Sequence, residues 1–223
     1  MAKDLEMSKT ESVICFAGDN YWFSNPHSRY HLMNAMHSKG HSILWVNSIG
    51  MNMPKLKRNG FWRRVIMKLK SWAKWLWRAD SQFHVLTPIA LPLFGNSVLE
   101  KMNNLWIAFQ VRVACFIIGF RKPLLFTSIP SFAGVVNKIP HSGLIYYYSD
   151  KYDSYRDITA RKTITLYDKM LFDGADAVFC AAKRVYDELK TERDNVYYLP
   201  HAVDFNHFNS ALSETKPVPE DLI

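Results

Sequence analysis

Acidic residues are missing from one stretch of this chain. Between Pro54 and Arg78 the sequence PKLKRNGFWRRVIMKLKSWAKWLWR carries nine basic residues and no Asp or Glu. The 223-residue chain holds 28 Lys and Arg against 20 Asp and Glu, so removing those nine leaves 19 against 20. The +8 formal charge is therefore local to one segment. Glycine is scarce as well, with nine in all. After the first apolar run, VICFAG, only Gly18 follows where a dinucleotide fingerprint needs G-x-G-x-x-G, which excludes a nicotinamide or flavin oxidoreductase. The three cysteines, Cys15, Cys115 and Cys180, are widely spaced in apolar runs and are expected as reduced, buried thiols. No D-x-D is present, and in the H-x-x-x-H pair of His27 and His31, Ser28 stands where a zinc protease has its glutamate. No metal site is expected. MAKDLEMSKTES carries acids and lacks an apolar core, so no secretion signal is expected.

What is present is an alternation of short apolar runs with helical periodicity. Residues 13–18 and SILWVN at 42–47 read as strands, joined by a loop and a helix that Gly40 stops. FHVLTPIALPLFG reads as a strand entering a Pro-rich turn, and residues 97–120 as a long, mostly apolar helix whose polar interruptions suit a core or partly membrane-facing helix rather than a spanning one. PLLFTSIPS is the next strand, with a helix opening at Pro130 and Ser131. The expected fold is one α/β, Rossmann-like domain with a mainly parallel sheet flanked by helices and no internal repeat.

The most informative stretch runs from Leu144 to Phe208. LIYYY reads as a buried strand that ends at Ser149, Asp150, Lys151 and Asp153. Polar groups at the carboxyl end of such a strand are where open α/β sheets keep their chemistry. A helix follows, with Ile164, Leu166, Tyr167, Met170 and Leu171 on one face and Gly174 at its end, then the strand DAVFCAA, the helix KRVYDELK and a last strand before PHAVD. The order of elements, "DGADAVFCAA" and "NVYYLPHAVDFNHF" together resemble the N-terminal, acceptor-side half of a GT-B glycosyltransferase, of the bacterial type that builds exopolysaccharide and other surface glycans. The opening of the chain is similar to the same enzymes.

That resemblance implies transfer of a sugar from a nucleotide-sugar to a glycan acceptor, with no cofactor and with the donor bound mainly by a second Rossmann-like domain. The polar, Pro-containing stretch after Phe208 reads as a linker toward that domain, so residues 1–208 are expected as the acceptor domain, 209–223 as linker, and the domain alone as inactive. In inverting members a carboxylate takes the acceptor hydroxyl proton. Asp150 is the matching position and Asp153 its neighbour; a turn cap, or pairing with Lys151 or Arg156, is the alternative for Asp150. His201 and Asp204 of PHAVD fall at the family's interdomain cleft, with His201 and Ala202 replacing the usual asparagine and glycine. From the residues themselves, Gly18, Asp19, His27 and Arg29 flank the start of the first helix, where backbone N–H groups can hold an acceptor phosphate or simply be capped.

The basic segment drawn as a helix over 61–78 places Trp62 and Trp72 on an apolar face with Arg63, Arg64, Lys70 and Lys74 mainly opposite. With Lys68 and Trp75 these residues are expected to lie in an anionic membrane interface. The partners expected are therefore a nucleotide-sugar, a lipid-linked glycan acceptor and the inner face of the cytoplasmic membrane, with the protein peripheral to it. A non-catalytic membrane-surface module of the same fold is the rival reading. Nucleic acid is not expected, since no RRM, KH or helix-turn-helix signature accompanies the charge.

Overall fold

A computed structural model describes residues 10–22, 27–49, 72, 74–90, 97–150, 161–201, 203 and 205–210. Its strands are β1 (Ser12–Phe16), β2 (Ser42–Val46), β3 (Leu76–Asp80), β4 (Phe83–Leu86), β5 (Leu124–Thr127), β6 (Gly143–Tyr148), β7 (Ala177–Cys180) and β8 (Val196–Tyr198). The helices are α1 (Ser28–Ser38), α2 (Ser97–Ile118), α3 (Ala133–Val136, entered by a 3₁₀ turn at Pro130–Phe132), α4 (Arg161–Gly174), α5 (Lys183–Leu189) and α6 (Phe205–Ser210).

The strands form one sheet in the order β3-β4-β2-β1-β5-β6-β7-β8. Every pairing is parallel except that of β3 with β4. From β1 the chain winds outward through β2 to β4, then returns and winds the other way from β5 to β8. This is a doubly wound, Rossmann-like α/β fold, and its direction reverses between β1 and β5. A parallel sheet covered on both faces needs apolar residues at every position, which is why VICF and ILWV are unbroken runs rather than alternating ones.

The two faces have separate cores. Ile14, Phe16, Leu44, Val46, Leu125, Tyr146 and Val178 pack on one side with Ile107 and Val111 of α2, Val135 of α3 and Leu171 of α4. Val13, Cys15, Ile43, Trp45, Val85 and Tyr147 point to the other, where Met33 of α1 is buried. Gly40 (φ 92°) and Gly119 (φ 82°) terminate α1 and α2 in the left-handed region, which glycine enters without a Cβ penalty.

One expectation fails here. Leu76, Trp77 and Arg78 were assigned to a helix over 61–78, but they form the edge strand β3, with Leu76 opposite Leu86 and Trp77 opposite Val85. Asp80 turns the chain back by accepting the Ser81 N–H on its carboxylate at 2.6 Å. The available edge of β4 outweighs the helical periodicity of an apolar and basic run. Residues 61–71 and 73 lie outside the described residues.

Candidate functional site

In a doubly wound sheet the crevice opens at the carboxyl ends of the strands on either side of the reversal. Here that places it where β1 and β5 end. Gly18 leaves β1 so close to the β5 exit that a Cβ on it would stand 2.9 Å from Cγ2 of Ile129 and 3.3 Å from Nη2 of Arg29. A side chain at this position would displace the groups that shape the crevice, which is the physical use of its glycine.

Asp19 follows at once and receives a hydrogen bond from Arg29 Nη2 at 2.7 Å. Both side chains are largely withdrawn from solvent, so the pairing is held in a medium that screens it weakly. His27, immediately before α1, has its Nε2 3.7 Å from the other Asp19 oxygen and remains half exposed. It offers α1 no side-chain cap; its carbonyl instead accepts the Tyr30 and His31 N–H groups at 2.9 and 3.3 Å. The structure thus gathers Gly18, Asp19, His27 and Arg29 at one point, with the guanidinium held by the Asp19 carboxylate.

Farther along the same sheet edge, Asp150 is exposed just past β6, and Ser149 Oγ donates to its Oδ2 at 3.1 Å. Between the two groups stands Tyr147. Burial raises its phenol above the ordinary value; the positive charge of Arg29 opposes that shift and the negative charge of Asp150 adds to it. The phenol therefore keeps its proton at neutral pH. It lies 3.0 Å from Nδ1 of His201 and donates, at 3.5 Å, to the Leu199 carbonyl. Through Tyr147, the exposed His201 is tied to the same edge as Asp150. Asp153 and Asp204 lie outside the described residues, as does the alternative pairing of Asp150 with Lys151 or Arg156. A cleft of about 580 Å³ opens beside this edge, lined by Ser28, His31, Asn34, Tyr147, Leu199 and Pro200 among others.

Sequence reading overlooked the group that shapes the first loop. Asn47, wholly buried at the end of β2, accepts the Tyr21 N–H at 2.8 Å and the Trp45 indole N–H at 3.0 Å, and donates to Thr87 Oγ1 at 2.8 Å. The next amide, Ser48 N–H, donates to the Asp19 carbonyl at 3.2 Å. The loop bearing Asp19 is thereby fastened to the ends of β2 and β4. A polar residue closing an apolar strand, N after SILWV, was the signal available in the sequence.

Of the expected membrane-binding residues, Trp62, Arg63, Arg64, Lys68 and Lys70 lie outside the described residues. Trp72 is half-buried. Lys74 places its ammonium 4.4 Å from the Trp22 ring centroid and 4.9 Å from that of Trp77, a cation held between two aromatic faces. Trp75 donates its indole N–H to Gln110 of α2 at 3.1 Å. The end of the basic segment is therefore anchored between the first loop and α2. Among the described residues no group of His, Cys, Asp and Glu is placed to hold a metal ion. Burial raises the Cys15 and Cys115 thiols to about 12 and Cys180 to about 11, which makes all three poor nucleophiles.

No family model matches this chain, and no curated protein matches it. Among solved structures it is similar to Arabidopsis thaliana UGT89C1 in complex with UDP-L-rhamnose, with 10% identity and a TM-score of 0.44 over 95% of this chain and 56% of that one. The chain spans little more than half the length of that protein.

Proposed function

We propose that this chain is the acceptor-side domain of a GT-B glycosyltransferase that moves a sugar from a nucleotide-sugar to a glycan acceptor. The observation that carries the reading is Asp150, solvent-exposed at the carboxyl end of β6 on the edge that also bears Asp19, Arg29 and Tyr147. A carboxylate in that position suits a general base. The acceptor hydroxyl oxygen bonds to the anomeric carbon, the bond from that carbon to the diphosphate breaks, the nucleoside diphosphate leaves, and the hydroxyl proton passes to Asp150. One Asp150 oxygen accepts from Ser149, and the other is left for the proton. Tyr147, buried but with its phenol facing the cleft and its proton retained, and the exposed His201 are placed to hydrogen-bond acceptor hydroxyls. Asp150 is exposed rather than buried in a salt bridge, the arrangement that a binding module of the same fold could have.

In the same proposal the acceptor is lipid-linked, as in exopolysaccharide assembly, and the protein works at the cytoplasmic face of the membrane, with the basic segment 54–78 toward the lipid. A second Rossmann-like domain holds the donor, and this domain alone transfers nothing. Two measurements test the chain and the enzyme separately. Titration of the isotopically labelled chain with a polyprenyl-diphosphate saccharide should shift the resonances of Gly18, Asp19, Tyr147 and Asp150; shifts confined to other regions refute the acceptor site. In the complete two-domain enzyme, Asp150→Asn should lower the transfer rate about 10²- to 10⁴-fold, the usual contribution of a general base. Because Asp150 is exposed, melting should not change. A variant retaining more than half the parent rate rules Asp150 out as the base.

A further inference from the structure

Helix α2 buries three polar side chains beside its apolar core face and carries further apolar groups on its outer side. Glu100, Asn104 and Gln110 are buried: Tyr167 donates its hydroxyl to Glu100, Asn104 donates to the Tyr167 oxygen at 3.2 Å, and Gln110 receives Trp75 and the Ile89 N–H. These bonds fix the rotation of the helix. On the outer side stand Met102 (61% exposed), Leu105 (57%), Phe109 (57%), Phe116 (87%) and Ile117 (58%), with Trp106 stacked on Phe109 at 5.7 Å between ring centroids. At 1.5 Å per residue the strip from Met102 to Ile117 runs along about 23 Å of the helix. Contiguous apolar strips of that size on a protein surface mark something that covers them.

Charge identifies what covers it. From residue 98 to 122 the exposed charged side chains are Lys101, Arg112, Arg121 and Lys122; the one acid, Glu100, is buried. The acid-free segment 54–78 ends against this same helix through Trp75 and Gln110. A second copy seated here would bring this cationic strip against itself, and like charges across an interface oppose association. No helix among the described residues is long and apolar enough to cross a membrane. We infer that the outer face of α2 lies in the surface of an anionic bilayer, with Phe109 and Phe116 entering the acyl boundary and Lys101, Arg112, Arg121 and Lys122 at the headgroups. This rests on the membrane placement proposed above and names a second surface for it, one built into the folded domain.

The test is sedimentation of the 223-residue chain with vesicles, without any sugar donor. Vesicles of phosphatidylcholine are compared with vesicles containing about 30 mol% phosphatidylglycerol, a fraction high enough to set a strong negative surface potential. The chain should sediment with the anionic vesicles. The triple variant Leu105→Ser, Phe109→Ser, Phe116→Ser should bind them at least about tenfold more weakly, as the loss of three inserted apolar side chains requires. Phe116→Ser alone tests the same point at a side chain too exposed to support folding, and should weaken binding about threefold. Both variants binding like the parent would overturn the proposal. So would equal binding to neutral vesicles, or a dimer that the triple variant dissociates in a chain that ignores lipid. The assay is independent of catalysis: a complete two-domain enzyme that binds vesicles but transfers no sugar refutes the glycosyltransferase reading alone, whereas unchanged vesicle binding in the variants refutes only the role of α2.

Discussion

Replacing Asn47 by Ala tests whether one buried amide organises the mouth of the crevice. The substitution removes the acceptor of the Trp45 indole N–H, which is buried, and of the Tyr21 amide, which is half-buried. A buried donor left without an acceptor costs about 1–3 kcal/mol, and the Tyr21 amide, which water can reach, costs less. Together they give about 3 kcal/mol, and at about 2–4 °C per kcal/mol for a chain of this size the melting temperature should fall by about 6–12 °C. Loss should be uneven along the chain. The loop bearing Asp19 loses its tie at Tyr21, so the Tyr21 amide should exchange with solvent faster than the amides of β1, which keep their ladder bonds. Thermal melting by circular dichroism and amide hydrogen exchange by NMR read the two effects. A melting point within about 2 °C of the parent would mean that the network contributes less than about 1 kcal/mol, and the account of the loop would be wrong. Thr87→Val offers a contrast, since it removes the acceptor of the Asn47 amide and should cost about 1–2 kcal/mol without freeing Tyr21.

Two further outcomes follow from buried or half-buried groups. Tyr167, whose phenol burial and the Glu100 hydrogen bond push to about 12, joins α4 to α2; Tyr167→Phe leaves the buried Glu100 carboxyl without that donor and should cost about 1.5–3 kcal/mol in urea denaturation. A loss below about 0.5 kcal/mol would show that water replaces the phenol. His84 is held below its ordinary 6.5, first by burial and then by Arg78, so the folded chain resists its protonation. The unfolded chain takes the proton first. Stability from this site is therefore complete above pH 6.5 and is lost as pH falls from 6.5 through the lower folded-state value. His84→Gln should flatten the decline of melting temperature over that acidic window; an unchanged slope would assign the decline to other groups.

How much was legible beforehand depends on the range of the forces involved. Strands β1, β2, β5, β6 and β7, helices α1, α2, α4 and α5, and the stops at Gly40 and Gly174 were readable, because apolar run length, helical spacing and glycine punctuation are local properties. The positions of Asp150 and Asp19 past strand ends were readable for the same reason. Strand β3 was not. Its residues suit a helix face equally well, and only the open edge of β4, reached through the turn at Asp80, selects the extended form.

The sequence alone determined that this is an α/β chain with its polar residues at strand exits and its charge gathered in one segment, since composition and periodicity act within a few residues. Only the tertiary structure decided which exits meet. Asp19 pairs with Arg29, Tyr147 reaches His201 across 54 positions, and Asn47 ties β2 to the β1 loop and to β4. Those contacts depend on strand order and on the reversal between β1 and β5, which no local pattern encodes. The outward face of α2 was decided in the same way: a helix apolar on nearly every side does not declare which side is buried until Glu100, Asn104 and Gln110 find their partners.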